Sequence, residues 1–312
     1  DFCRPLRTTQ GNLTEQRTLD KITYIGVSIS IASLVICLII EAVVWKKIRK
    51  PRVSYMRHVT VVNIALCLLI ADIWFIIGAG ISKAKDKSDD QKRSCTAATF
   101  FIHLFYLALF FWMLVSGLQL LYHTVSVFDS GARKRTLLAI GFCIGYGAPI
   151  IIAVVTIAVT AGSNTYTQHN DVCWLNWDLS KALLAFVIPA LTIVVINFLI
   201  LFIVLYKILR SSKTDEKDTA KSIIKVILVL APVFGVTWSI GFCLVVLPKA
   251  NPAYEFFNYT FTIVNSFQVI SPLITITHKK KLQTYLPSTT CLGYLIFWCC
   301  RINIFLPSQS ML

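Results

Sequence analysis

Charge is the first thing this chain is short of. Asp, Glu, Lys and Arg make up 14% of its 312 residues, against about 25% in ordinary soluble domains. Too few charges are available to solvate a globular surface or to keep the chain disordered. Metal-binding patterns are missing as well. Ten cysteines and five histidines are present, yet none stand at CxxC, HExxH or zinc-ribbon spacing. There is no Ser/His/Asp order, no carboxylate pair at a catalytic spacing and no phosphate loop, so hydrolytic chemistry has no candidate residues. Neither an enzyme activity nor a cofactor is expected. Residues 1–21 are polar and lack the apolar stretch of a signal peptide. The chain starts at Asp rather than Met, and we expect a fragment or the processed product of something longer.

Apolar residues are what the chain has in excess, at 56%. They gather into seven runs, each close to the roughly 20 residues that a spanning helix needs. The runs cover about 22–45, 59–81, 95–128, 137–160, 182–206, 223–247 and 256–277. The expected fold class is therefore all-α, with seven membrane spans. Residues 1–21 precede the bundle, 22–277 form it, and 278–312 make a cytoplasmic or interfacial tail. The third run is long enough to tilt or project beyond the bilayer. Pro149, Pro189, Pro232 and Pro272 lie inside runs, where prolines usually kink membrane helices. Neither an internal repeat nor inverted half-symmetry is visible, which weighs against a transporter; a channel or transporter is the reading from another class.

The net charge is +15. The basic residues form short clusters between apolar runs and do not alternate with aromatics, so nucleic acid is not the expected partner; membrane lipid is. Lys and Arg number 6, 3, 6 and 4 in the segments 46–58, 129–136, 207–225 and from 278 onward, against 4, 5, 1 and 1 in 1–21, 82–94, 161–181 and 248–255. The first set reads as cytoplasmic and the N-terminus as extracellular. The segment 82–94 dissents. A glycosylation sequon at Asn12 supports the same orientation. So does the placement of Cys95 and Cys173 on the outer side, where a disulfide can form and would tie the second outer loop across the bundle. Two free thiols are the alternative. Cys37, Cys67, Cys143 and Cys243 lie inside apolar runs and read as small packing residues.

Longer motifs then narrow the class. Residues 110–118 read FFWMLVSGL, 145–149 read GYGAP, 173–177 read CWLNW, 184–189 read LAFVIP, 235–238 read GVTW and 265–268 read NSFQ. In this order they resemble the third to seventh helices of the adhesion G-protein-coupled receptors, and the F subfamily in particular. The resemblance covers about residues 22–268 and implies a seven-transmembrane helix bundle of the G-protein-coupled receptor type. It further implies plasma-membrane localisation, a heterotrimeric G protein as partner and a tethered or peptide agonist. Three departures stand out. Ser116 and Gln119 occupy places where most of the family has Glu and His, and Tyr122 sits one residue later than usual. Residues 1–21 hold neither the family's cleavage triplet nor its apolar agonist peptide. After Gln268 the chain reads VISPLI instead of the usual aromatic-rich end. Both ends look replaced, so a truncated non-signalling variant, a decoy or retained form, is the alternative function.

By family analogy, Trp174, Trp177, Trp238, Phe101, Phe105 and Phe261 are expected to line an outer cavity for an apolar peptide. Bundle packing is the bland alternative for each. Pro232, Gly235, Asn265 and Gln268 are expected as switch or packing residues, because a kink at Pro232 would let the inner half of helix 6 swing. Tyr122, Phe128 and Arg133 are expected to meet the G protein. Glu41, Asp72 and His103 lie in apolar runs, where an ionisable group marks function or pairing. Interhelical bonds to Asn63, Asn197, Asn265 or a hydroxyl are the favoured explanation. Residues 291–306 are apolar and carry Cys291, Cys299 and Cys300, which suits an interfacial, palmitoylated segment.

Overall fold

The computed structural model describes residues 52–83, 88–125, 134–162, 165–167, 173–176 and 179–210, with parts of 27–43 and the single positions Ala253, Phe256 and Thr260. Its contacts divide the chain into two units. One, 34–227, holds nearly all described residues. In the other, made of 1–33 and 228–312, the described positions are helical, and the Thr260 hydroxyl bonds the Phe256 carbonyl one turn back at 2.7 Å.

Among the described residues, five helical stretches make up the larger unit. They are α1 (Ser30–Val43, in this unit from residue 34), α2 (Arg52–Lys83), α3 (Asp89–Val125), a fourth stretch in three parts, and α6 (Leu184–Arg210). The fourth stretch is α4 (Lys134–Phe142), a π segment (Cys143–Gly147) and α5 (Ala148–Ala161). Four helices among the described residues are long and apolar enough to cross a membrane: Tyr55–Ser82, Asp89–Tyr122, Arg135–Thr160 and Leu184–Val204. They coincide with the second to fifth apolar runs. The remaining predicted spans lie wholly or partly outside the described residues.

The 37-residue α3 is about 55 Å long at 1.5 Å per residue. It begins six residues before the apolar run, because the sequence there starts a helix well. Ser88 caps it, its Oγ accepting the Gln91 amide at 3.4 Å. Asp89 and Asp90 fill the first turn, where negative charge is favoured. The segment 82–94, which dissented from the charge rule, is thus partly helix, and Gln91 Nε2 donates to the Ile81 carbonyl at the end of α2 at 2.6 Å.

α3 is the central helix of this unit and touches α2, the π segment, α5 and α6. Tyr106, Leu107, Ala108, Leu109 and Phe110 are each at most 1% exposed, so every face of its middle is covered. α5 and α6 are covered on one side only. Val159 and Phe202 are 76% and 67% exposed, the profile of helices whose outer face meets lipid. The two are barely in contact with each other.

One expectation needs correcting here. Cys143 does not pack inside the unit. It is exposed, because the π segment reaches α3 on the side of Gly145, leaving Cys143 to face away. Cys67 is buried as expected, while Cys37 and Cys243 lie outside the described residues. The fourth span widens into a π segment that ends two residues before Pro149, which has no N–H to return to the Gly145 carbonyl.

Candidate functional site: a strapped helix end

Between α5 and α6, residues 165–167, 173–176 and 179–183 fold back over the end of α3 that carries Cys95. Short hydrogen bonds within the segment shape it. Thr167 and Leu175 form an antiparallel bridge, the Asn176 amide donates to the Tyr166 carbonyl at 3.0 Å, and the Ser180 hydroxyl donates to the Thr165 carbonyl at 2.7 Å. Asn176 organises the exit. Its Nδ2 donates to the Thr167 carbonyl at 3.4 Å, and its Oδ1 accepts the Leu179 amide at 2.9 Å. Lys181 turns the chain into α6 with φ 54°, a left-handed conformation that costs a side-chain-bearing residue about 1–2 kcal/mol.

This strap is anchored to α3. Cys173 is bonded to Cys95, with Cα atoms 5.1 Å apart across 78 residues of sequence. The expectation of a disulfide over free thiols is met. Tyr166, 2% exposed, forms a hydrogen bond with Nδ1 of the fully buried His103 at 3.3 Å. Burial raises the Tyr166 phenol above its ordinary pKa.

Beneath the strap lies a set of edge-to-face rings. Trp174 meets Tyr106 at 6.3 Å and Phe186 at 6.1 Å between ring centres. Phe186 in turn meets Phe110 at 5.8 Å and His103 at 6.3 Å. These spacings suit quadrupolar ring pairing. The Tyr106 hydroxyl donates to Asp72 Oδ1 on α2 at 3.4 Å. Of the six aromatics expected at a ligand cavity, three are described. Trp174 joins the ring set and is half-buried. Phe101 stacks on Trp74 of α2 at 4.4 Å. Phe105 is half-buried on α3. Trp177, Trp238 and Phe261 lie outside the described residues, as do Pro232, Gly235, Asn265, Gln268, Phe128, Arg133 and Asn12. Tyr122 is half-buried toward the opposite end of α3.

The ionisable residues of the apolar runs are paired, and Asp72 in the manner expected, by an interhelical hydrogen bond to a hydroxyl. Asp72 has the Tyr106 hydroxyl and His103 the Tyr166 hydroxyl. The Glu41 carboxyl on α1 meets the His58 imidazole on α2, both about 2% exposed. A histidine partner was not anticipated, because His58 stands where the basic connector was expected to continue. α2 instead begins at Arg52 and draws it into the unit. Asn63 accepts the Tyr146 hydroxyl at 2.8 Å. The Thr60 hydroxyl bonds Gln119 Oε1 at 3.1 Å, so one of the two residues departing from the family's third-helix pattern has a defined partner.

Two glycines permit the closest helix approaches. A Cβ on Gly117 would overlap the Asn197 side-chain oxygen of α6. One on Gly145 would stand 2.5–2.9 Å from indole atoms of Trp112. Neither contact was foreseen, although both glycines lay in the motifs singled out. Among the described residues, no three His, Cys, Asp or Glu side chains could hold a metal ion together.

The sequence pattern of the family described as 7 transmembrane receptor (Secretin family) matches residues 16–270. Over 253 residues, 79% of this chain, it is 49% identical to the mouse adhesion G-protein coupled receptor F1. Against the human adhesion G protein-coupled receptor F5 it is 49% identical over 255 residues, 80% of this chain. Against the rat adhesion G-protein coupled receptor F2 it is 44% identical over 262 residues, 83% of this chain. The chain spans 27%, 18% and 40% of the lengths of these relatives. The matched region contains all seven apolar runs almost to the end of the last. The strapped helices described above are thus part of an all-α seven-transmembrane bundle, and the chain belongs to the secretin family of seven-transmembrane receptors, with adhesion receptors of the F group as its relatives.

Proposed function

We propose that this chain is the membrane portion of an adhesion-type receptor in the plasma membrane. It passes an extracellular signal, carried by a tethered or peptide agonist, to a heterotrimeric G protein. In this reading the N-terminus is outside, Asn12 is glycosylated and the strap covers the outer end of the bundle. One observation carries the reading: the Cys95–Cys173 bridge presents Trp174 over the end of α3 in a chain of a receptor family. Ligand action requires only that the agonist fit one helix arrangement better than another. A half-buried indole beside Tyr106 and Phe186 offers apolar faces that such a peptide can share. Trp177, Trp238, Phe101, Phe105 and Phe261 complete the proposed contact set. Pro232, Gly235, Asn265 and Gln268 form the proposed switch, and Tyr122, Phe128 and Arg133 the proposed G-protein contacts.

A second reading is a receptor core that does not signal. It is motivated by the change of sequence after Gln268, close to residue 270, where the family match stops. One experiment separates the two. The chain is expressed at the cell surface, an agonist peptide of an F-group relative is added, and second messenger is measured. A response that Trp238→Ala abolishes without loss of surface expression supports the receptor. Silence from a fully expressed chain supports the second reading.

A further inference from the structure

Tyr166 and Cys173 hold the same strap to the same helix at two depths. Their partners His103 and Cys95 are eight residues apart on α3, about 12 Å along its axis. The two anchors lie on opposite sides of the Thr167–Leu175 bridge and its neighbouring Asn176–Tyr166 bond. A single anchor lets a segment swivel about one bond, whereas two anchors joined by a bridge fix both position and orientation. Trp174 follows Cys173 directly, so any swivel at the disulfide would carry the indole away from Tyr106 and Phe186.

Space filling alone does not call for this pair. A phenylalanine at 166 and a leucine at 103 would bury as much apolar surface with no polar group to satisfy. Tyr166 and His103, 2% and 0% exposed, have instead given up water: the Tyr166 hydroxyl bonds the imidazole, which also has the Ala185 backbone beside it. That makes the seat directional: the strap fits only with Tyr166 over His103.

We propose that Tyr166 is a positioning residue, a second and non-covalent anchor that sets the orientation of Trp174 independently of the disulfide. Its consequence for agonist potency rests on the receptor reading above; the anchoring itself does not.

The test is hydrogen–deuterium exchange on the full chain in lipid nanodiscs, with the disulfide intact or reduced by dithiothreitol. With the disulfide intact, Tyr166→Phe should speed exchange at residues 174–176 about tenfold, the effect of one net hydrogen bond, while the amides of α3 stay unchanged. Reduced wild type should keep part of its protection, and reduced Tyr166→Phe should lose it. His103→Leu should behave as Tyr166→Phe. His103→Asn, which keeps a polar atom near the Nδ1 position, should recover most of the protection. Wild-type exchange in Tyr166→Phe, complete loss of protection in reduced wild type, or loss of protection throughout α3 in Tyr166→Phe would each overturn the proposal. In the agonist assay, Tyr166→Phe should lower peptide potency about tenfold with the maximal response kept. If wild type itself gives no response, the receptor reading fails while the exchange result stands.

Discussion

The indole of Trp112 lies against the bare backbone of Gly145. Phe142 and Tyr146 meet it in T-shaped pairs, at 5.1 Å and 5.5 Å between ring centres. One helix position thus has two aromatic walls and a floor that admits no side chain. Gly145 stands inside the π segment, which sets the phase at which these walls arrive.

Gly145→Ala should therefore push Trp112 out of its seat. The methyl would stand 2.5 Å from the ring, and overpacking of this kind costs about 1–3 kcal/mol. Thermal unfolding of the purified chain in detergent reads the loss. Trp112→Leu combined with Gly145→Ala should recover part of it; if the double variant is no better than the sum of the singles, the contact is not the cause.

Gly117 poses the same problem against Asn197 of α6, but the obstacle is a short polar side chain. Gly117→Ala should destabilise the α3–α6 contact, and Asn197→Ala should relieve it. A double-mutant cycle in the same assay should show a coupling of about 0.5–3 kcal/mol between the two sites. Additive effects would show that the two side chains do not compete for the space.

The Glu41–His58 pair should be asymmetric to mutation. His58→Leu leaves a buried carboxyl without its partner and should cost about 1–3 kcal/mol, whereas Glu41→Leu combined with His58→Leu should cost much less. Surface expression and melting temperature of the three variants decide it. A double variant as damaged as His58→Leu would mean that the pair is held for something other than mutual compensation.

Loss of the strap disulfide should be felt both locally and globally. Cys95→Ala or Cys173→Ala should lower stability by about 2–5 kcal/mol, with either single variant as damaging as the double. Peptide mapping without reductant should recover Cys95 joined to Cys173. Recovery of both as free thiols would contradict the structure.

Much of the architecture could be read without coordinates, because bilayer thickness imposes one length on every spanning helix. Seven runs of about the right length dictated an all-α bundle, and the charge pattern put Cys95 and Cys173 on the same side as natural partners. Membrane burial likewise marked Glu41, Asp72 and His103 as groups that need a partner. Which partner each one found depended on the tertiary structure. Periodicity says which residues share a helix, but not which turn of a neighbour lies opposite. Helix phase and depth brought Glu41 to His58 rather than to an asparagine, and brought the Tyr166 hydroxyl down onto His103. The same limit hid the glycine contacts. A glycine in a motif signals a close approach somewhere, and only the packed helices show that Gly145 meets Trp112 and Gly117 meets Asn197. Cys143 marks the remaining gap between the two levels: an apolar run gives a residue its membrane, but the direction the helix faces decides whether it meets protein or lipid.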